Sequence, residues 1–200
     1  MNYGATKAQF LAVLNRRDIT PTLTENFVKQ AIQRAQRLLR VPAMEESVEI
    51  TFNTSDEAVD IPGNLLQVVN VFFDDTKLTK TDIGFVRQKR QYVSNPSHYA
   101  REDGQFVIGP VPINAGVVKI SYYSDFSDLS ADADSNWLTD IAPDLIIYGA
   151  LSFAADYYLD NRRDSFEQRF QEALMELTIQ AQMDELAAGA AVTPAYSYNF

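Results

Sequence analysis

Asp132, Asp134 and Asn136 stand at alternate positions, the spacing at which the first side chains of an EF-hand loop hold calcium. Such a loop also needs glycine at its sixth position and glutamate at its twelfth, where this chain has Trp137 and Pro143. The segment therefore reads as a loop of side-chain acceptors that cap nearby backbone rather than as a metal site. Glu45 and Glu46 are adjacent, so they diverge by about 100° on a helix and face opposite ways on a strand. Neither arrangement pairs them across a glycosidic bond. His98 is the one histidine, which excludes a multi-histidine metal centre and gives a nucleophilic triad no base elsewhere; it reads as a structural residue beside a strand. Gly104, Gly109 and Gly116 are spread through hairpin turns and form neither G-x-G-x-x-G nor a P-loop. Arg87, Lys89 and Arg90 make a short basic cluster able to touch phosphate, but beside Gln88 and Gln91 it reads as a solvated surface. With no cysteine there is no disulfide framework and no thiolate ligand. The expectation is a non-enzyme with no catalytic residues, no cofactor and no metal.

The elements that would position these residues change character along the chain. ATKAQFLAVLNR places Phe10, Leu11, Val13 and Leu14 on one helical stripe. A second helix runs to about Arg40, with Phe27, Val28, Ala31, Ile32, Ala35, Leu38 and Leu39 at spacings of three and four. Thr22 or Thr24 is expected to cap it, Thr22 with Glu25 fitting a capping box. Pro42 closes this part. VEITFNT and GVVKISYYSDF then alternate with a period of two, LLQVVNVFFDDTKL reads as a buried strand with a turn at Asp74-Asp75 and a short return, and SHYAREDGQFVIGP reads as a hairpin turning at Glu102-Asp103-Gly104, all of which predict strands. Residues 80–93 suit a short helix with a basic side. Pro143 opens a helix that is apolar on nearly every side, through Leu145, Ile146, Ile147, Tyr148, Leu151, Phe153, Tyr157 and Tyr158. A helix of that kind is either central in a core or shared with a neighbouring subunit. A last helix carries Phe166, Phe170, Leu174, Leu177 and Ala181.

The predicted fold class is α+β: a helical bundle dominated by a long C-terminal α-hairpin, with an inserted small antiparallel β-sheet and an extended C-terminal tail. In domain terms, residues 1–188 form one body, with helices at about 5–40 and 143–186 and a β-rich insertion at about 47–124. Residues 189–200 form a docking tail.

The net charge of −10 is uneven. Residues 1–40 hold seven bases against two acids, a balance of +5; residues 41–160 hold seven bases against nineteen acids, −12; the last forty contribute −3. An acidic surface argues against general nucleic-acid binding, because phosphate contacts need cations. No apolar run approaches the ~18 residues of a membrane span. MNYGATKAQF lacks the basic and apolar regions of a secretory signal.

The chain closes on VTPAYSYNF, where Tyr196, Tyr198 and Phe200 alternate with Ser197 and Asn199. Pro194 blocks a helix, and a period of two puts the three rings on one face of an extended strand. Each ring removes about 150–250 Å² from water, so three contribute roughly 11–19 kcal/mol at ~25 cal/mol/Å². Ordering the twelve residues from Gly189 costs roughly 12–24 kcal/mol. One tail alone docks marginally; many presented together bind strongly, because each later contact is intramolecular.

IPGNLLQVVNVFFDD, the SHYAREDGQFVIGP hairpin and ISYYSDFSDLSADADSNWLTDIAPDLIIYGALSFAADYYLDNRRDSFEQRFQEAL, in that order after an amphipathic N-terminal helix pair, resemble the head-to-tail adaptor proteins of tailed bacteriophages. Trp137, Pro143-Asp144, Tyr148-Gly149-Ala150, Asp160, Phe166 and Phe170 carry the likeness. The resemblance implies a virion protein of the neck, assembled in the host cytoplasm as a homo-oligomeric ring of twelve beneath the portal. Such a ring extends the DNA channel and offers a platform to a downstream neck or tail protein. It further implies that the tail residues Pro194, Ala195, Tyr196, Tyr198 and Phe200 bind the portal protein. It gives Trp137, Tyr148, Phe153, Tyr157 and Tyr158 neighbouring subunits as cover. Double-stranded DNA would pass without specific binding and no membrane would be involved. Twelve chains of −10 carry a formal −120, which suits a channel that lets DNA slide. The rival readings are a distal neck or tail-tube component and a virion-carried cell-wall hydrolase.

Overall fold

The computed structural model describes residues 1–189, with side chains through residue 183. In chain order the elements are α1 (Tyr3–Leu14), α2 (Pro21–Leu38), β1 (Glu45–Phe52), β2 (Ala58–Asp60), β3 (Leu65–Phe73), β4 (Thr76–Lys77), β5 (Thr79–Lys80), α3 (Ile83–Lys89), β6 (His98–Glu102), β7 (Gln105–Gly109), β8 (Gly116–Ser124), α4 (Trp137–Ile141), α5 (Pro143–Tyr157) and α6 (Arg163–Gly189). They fall into two compact units, one made of Ala43–Asp125 and the other of Met1–Pro42 with the chain from Phe126 onward.

In the helical unit the caps are local. The Asn2 side chain accepts from the Ala5 N–H, and Asn15 closes α1 in the left-handed region at φ 52°. α2 begins at Pro21, capped by Thr20, whose hydroxyl accepts from the Leu23 N–H. The expected cap at Thr22 or Thr24 is therefore corrected. Proline's fixed φ suits the first helical position and starts the helix early, so Thr22 lies inside it and the Thr24 hydroxyl donates back to the Thr20 carbonyl. A true capping box stands at α4, where Asn136 and Thr139 satisfy each other's backbone N–H.

α5 is the hub of this unit. It packs against α1, α2, α4 and α6, which is why it can be apolar on nearly every side. Leu145, Ile146, Ala150, Leu151, Ala154 and Ala155 are fully covered. Gly149 marks the closest approach: a Cβ there would lie 3.0 Å from the Ala31 Cβ on α2 and 3.1 Å from the Phe170 ring on α6.

The other unit holds two four-stranded sheets. In one the order is β1-β8-β3-β4, antiparallel throughout; in the other it is β2-β7-β6-β5, with β5 and β6 parallel. A single apolar cluster draws on both: Phe52, Val71, Phe73, Val118, Ile120 and Tyr122 from the first, Val59, Tyr99, Phe106 and Ile108 from the second. Phe52 meets Phe73 edge-on and Tyr99 meets Phe106 likewise. α3 lies on the second sheet, its Val86 buried with Ala100 and Val107.

These observations overturn the expected architecture. The chain is α+β, with six helices and two sheets of four strands among the described residues. It is not a helical bundle dominated by a C-terminal hairpin with one small antiparallel sheet. Period-two alternation marks strands without saying which strands pair. Here β2, β6 and β7 hydrogen-bond among themselves and not with β1, β3 and β8. α5, moreover, is engaged by α2 as well as by α6. The expected extended tail lies outside the described residues. No described helix is long and apolar enough to cross a membrane.

Candidate functional site

The chemistry-bearing residues resolve into fasteners. Asp134 accepts from the Ser130 and Ala131 N–H groups and the Ser130 hydroxyl; those backbone bonds hold its carboxyl below the usual range. Asp132 instead reaches the Lys7 ammonium at 2.7 Å, and its carbonyl accepts from the Gly4 N–H. The two thus diverge, and no described group of three acidic or histidine side chains is placed to hold a metal ion. Glu46 accepts from the Asn64 amide, which chiefly lowers its pKa, and from the Tyr122 hydroxyl. Glu45 has no part in that cluster. The His98 Nδ1 is 2.8 Å from the Ser97 hydroxyl, and its ring meets Phe85 edge-on.

The basic cluster near residue 90 is tied down too. Arg87 donates to both oxygens of Glu102 at 2.8 Å, and Arg90 donates to the carbonyls of Asp56, Glu57 and Ile108. A cavity of about 500 Å³ opens here, lined by Glu57, Arg87, Arg90, Gln91 and Glu102 among others. Its cations already face carboxylates or carbonyls, so it makes a poor phosphate site.

The densest polar network lies in the helical unit. Arg34 of α2 makes a two-pronged pair with Glu167 of α6, at 2.8 and 2.5 Å, while its guanidinium lies 4.1 Å from the Phe170 ring centre. Ser152 and Gln171 donate to the same carboxylate. Three helices are thus tied at one acid. At the other end, Arg162 donates to the Val13 and Leu14 carbonyls at the end of α1 and to Asp160. Arg16 pairs with Asp18 and lies 4.0 Å over the Tyr158 ring.

Glu167 makes this unit sensitive to acid. The Arg34 hydrogen bonds, aided by Gln171 and Ser152 and opposed by burial, hold its pKa at about 2 against a reference value of 4.5. A depressed carboxyl pKa stabilises the fold above the unfolded value, and that contribution is lost as pH falls from about 4.5 toward 2. One pKa unit is about 1.4 kcal/mol, so partial exposure leaves roughly 1–3 kcal/mol at neutral pH. In urea titrations, Glu167→Gln should be less stable than the parent at pH 7, and the gap should narrow below about pH 4. A pH-independent gap would show that the ion pair is not its source.

Of the seven N-terminal bases, Lys7, Arg16 and Arg34 face acids within the unit. Arg17, Lys29 and Arg37 are exposed and make no ion pair among the described residues. The positive block is therefore partly an internal fastening and partly open surface.

The aromatic residues expected at subunit contacts are spread across the same unit. Trp137 stacks on Phe126 with ring centres 5.9 Å apart. Tyr148 accepts a hydrogen bond from Arg169, and Phe153 lies beneath Arg34. Tyr157 is 60% exposed and touches Phe27 and Tyr158. The Tyr158 hydroxyl is buried without a partner among the described residues. Pro194, Ala195, Tyr196, Tyr198 and Phe200 lie outside the described residues. Sequence reading missed the exposed stripe of Met175, Ile179 and Met183 on α6, although a four-residue spacing in sequence marks it. It also missed Tyr92, Val93 and Ile113, exposed on two segments bridged at Val93 and Val111. Exposed apolar side chains thus stand on both units.

Compared with known proteins, the chain matches over residues 1–195 the family described as SU10 adaptor protein. No curated protein matches it.

Proposed function

This chain belongs to the SU10 adaptor protein family, a family of phage head–tail adaptors, and on that premise we propose that it is a ring subunit of the phage neck. In this reading twelve copies sit beneath the portal, extend the DNA channel and connect the capsid to a downstream neck or tail protein. The role is structural, DNA passes without specific binding, and assembly takes place in the host cytoplasm. The match across residues 1–195 is the observation that carries the reading. The surface described above supports it. Tyr157 is exposed, and Trp137, Tyr148, Phe153 and Tyr158 are only partly covered, on a unit whose α2, α5 and α6 are tied together by the Arg34–Glu167 network. These five residues are assigned to subunit contacts, and Pro194, Ala195, Tyr196, Tyr198 and Phe200 to the portal.

Native mass measurement of the protein alone and with purified portal tests the proposal. The expected result is a complex carrying one adaptor copy for each portal subunit. Failure to bind portal, with capture instead by a purified tail-tube or distal neck protein, would overturn it.

A further inference from the structure

β1 is an eight-residue strand at the edge of its sheet, paired on one side only, with β8. The other terminal strands, β2, β4 and β5, have two or three residues each. The backbone facing outward from β1 can be read from its neighbour. Val117 of β8 turns its N–H and C=O to Asp74, on the β3 side. Residues alternate in direction along an antiparallel strand. The register Val48↔Ile120 and Ile50↔Val118 therefore directs even-numbered residues of β1 toward β8. The N–H and C=O groups of Glu45, Ser47, Glu49 and Thr51 face the free edge, and no described backbone group bonds to them.

The two faces of β1 differ as sharply as its edges. Val48 and Ile50 point toward the apolar cluster yet stay half-exposed, while Phe52 is buried. Glu45, Ser47, Glu49 and Thr51 are exposed on the opposite face. An added strand whose alternate residues are apolar would complete the cover of Val48 and Ile50 and leave its other residues beside Glu45 and Glu49.

Charge selects the occupant. The strand reads EESVEITF, three acids and no base; Glu49 lies 3.2 Å from the Lys119 ammonium of β8, which leaves the edge with a net negative charge. Two copies of β1 laid edge to edge would bring glutamates together, which is destabilising in a sheet. The chain's own last eleven residues, AAVTPAYSYNF, carry no cation. We propose that the free edge of β1 is a docking site for an extended segment of another protein, one that alternates aliphatic residues with lysine or arginine. Main-chain hydrogen bonds supply the attachment and the glutamates select the partner. This site is independent of the portal reading and is tested on the protein alone.

The probe is a fluorescein-labelled eight-residue peptide alternating valine with lysine, compared by anisotropy at low salt with a valine–glutamate peptide and with a peptide of residues 190–200. The lysine peptide should bind at least about tenfold more tightly than either and slow amide exchange in residues 45–52. Ser47→Pro removes one outward N–H and keeps the pairing with β8; it should weaken binding about tenfold, while Ser47→Val binds like the parent. Near-UV circular dichroism checks that both variants are folded. Should Ser47→Pro fail to fold, the double variant Glu45→Lys/Glu49→Lys decides, since it should reverse the preference toward the glutamate peptide. Equal binding of all three peptides, tightest binding by the 190–200 peptide, an unchanged preference in the double variant, or undiminished binding by folded Ser47→Pro would each overturn the proposal.

Discussion

Replacing Phe170 with alanine is expected to cost the helical unit about 3–5 kcal/mol, the range for deleting a buried ring. Phe170 is fully covered. Its ring meets α5 where Gly149 removes any side chain in the way, and on another side it carries the Arg34 guanidinium. Truncation therefore opens a cavity and also takes away the surface over which Arg34 is held toward Glu167. The neighbours cannot close the gap easily, because α5 is already braced by α1, α2 and α4. The measurement is urea denaturation followed by fluorescence of Trp137, the single tryptophan, which sits in the same unit stacked on Phe126. Reading one unit at a time matters, since two compact units need not unfold together. A loss below about 1 kcal/mol would mean that the three helices repack around the hole.

Deleting residues 190–200 is expected to abolish portal binding while leaving that Trp137 transition in place. Three rings set against the ordering of the segment leave a single tail close to zero net free energy. Binding then depends on many tails engaging at once, an advantage of about 10²–10⁴ that vanishes when all are removed together. Pull-down on purified portal, paired with the denaturation curve, reads both halves. A truncated protein that unfolds normally and still binds portal would take the anchoring role away from the tail and return it to the folded surface.

Legibility in the sequence followed the range of each interaction. Pro143 opening α5 and the apolar run after it could be read directly, because first-turn proline and helical spacing act within a few residues. The start of α2 was misplaced by two to four residues, by placing the cap at Thr22 or Thr24 rather than before Pro21. The strands β1 and β8 were visible as alternation, β3 as an apolar run and β6 and β7 from the turn between them. Their division into two sheets was not, because Val48↔Ile120 and Val71↔Ile120 join residues far apart in the chain and alternation has no memory of partner. For the same reason Arg34 showed only as one cation in a basic block; its acid, Glu167, is 133 residues away. The candidate aromatics were visible by type. How much of each ring the fold covers was not: the Phe126 stack over Trp137 and the Arg169 contact to Tyr148 depend on neighbours that helical spacing does not name.

The division of the chain also bears on how it is made. The strand-rich unit is one continuous piece, Ala43–Asp125, whereas the helical unit is assembled from both flanks of it. As the polypeptide leaves the ribosome, α1 and α2 emerge before the strand-rich unit but must wait for α5, more than a hundred residues later, to cover Phe27, Val28 and Ala31. Domains complete themselves in the order their parts are synthesised, so the later-starting unit is the first able to finish. During that interval the α2 side chains that α5 will cover have only α1 beside them, the stage at which a chaperone would find most to hold.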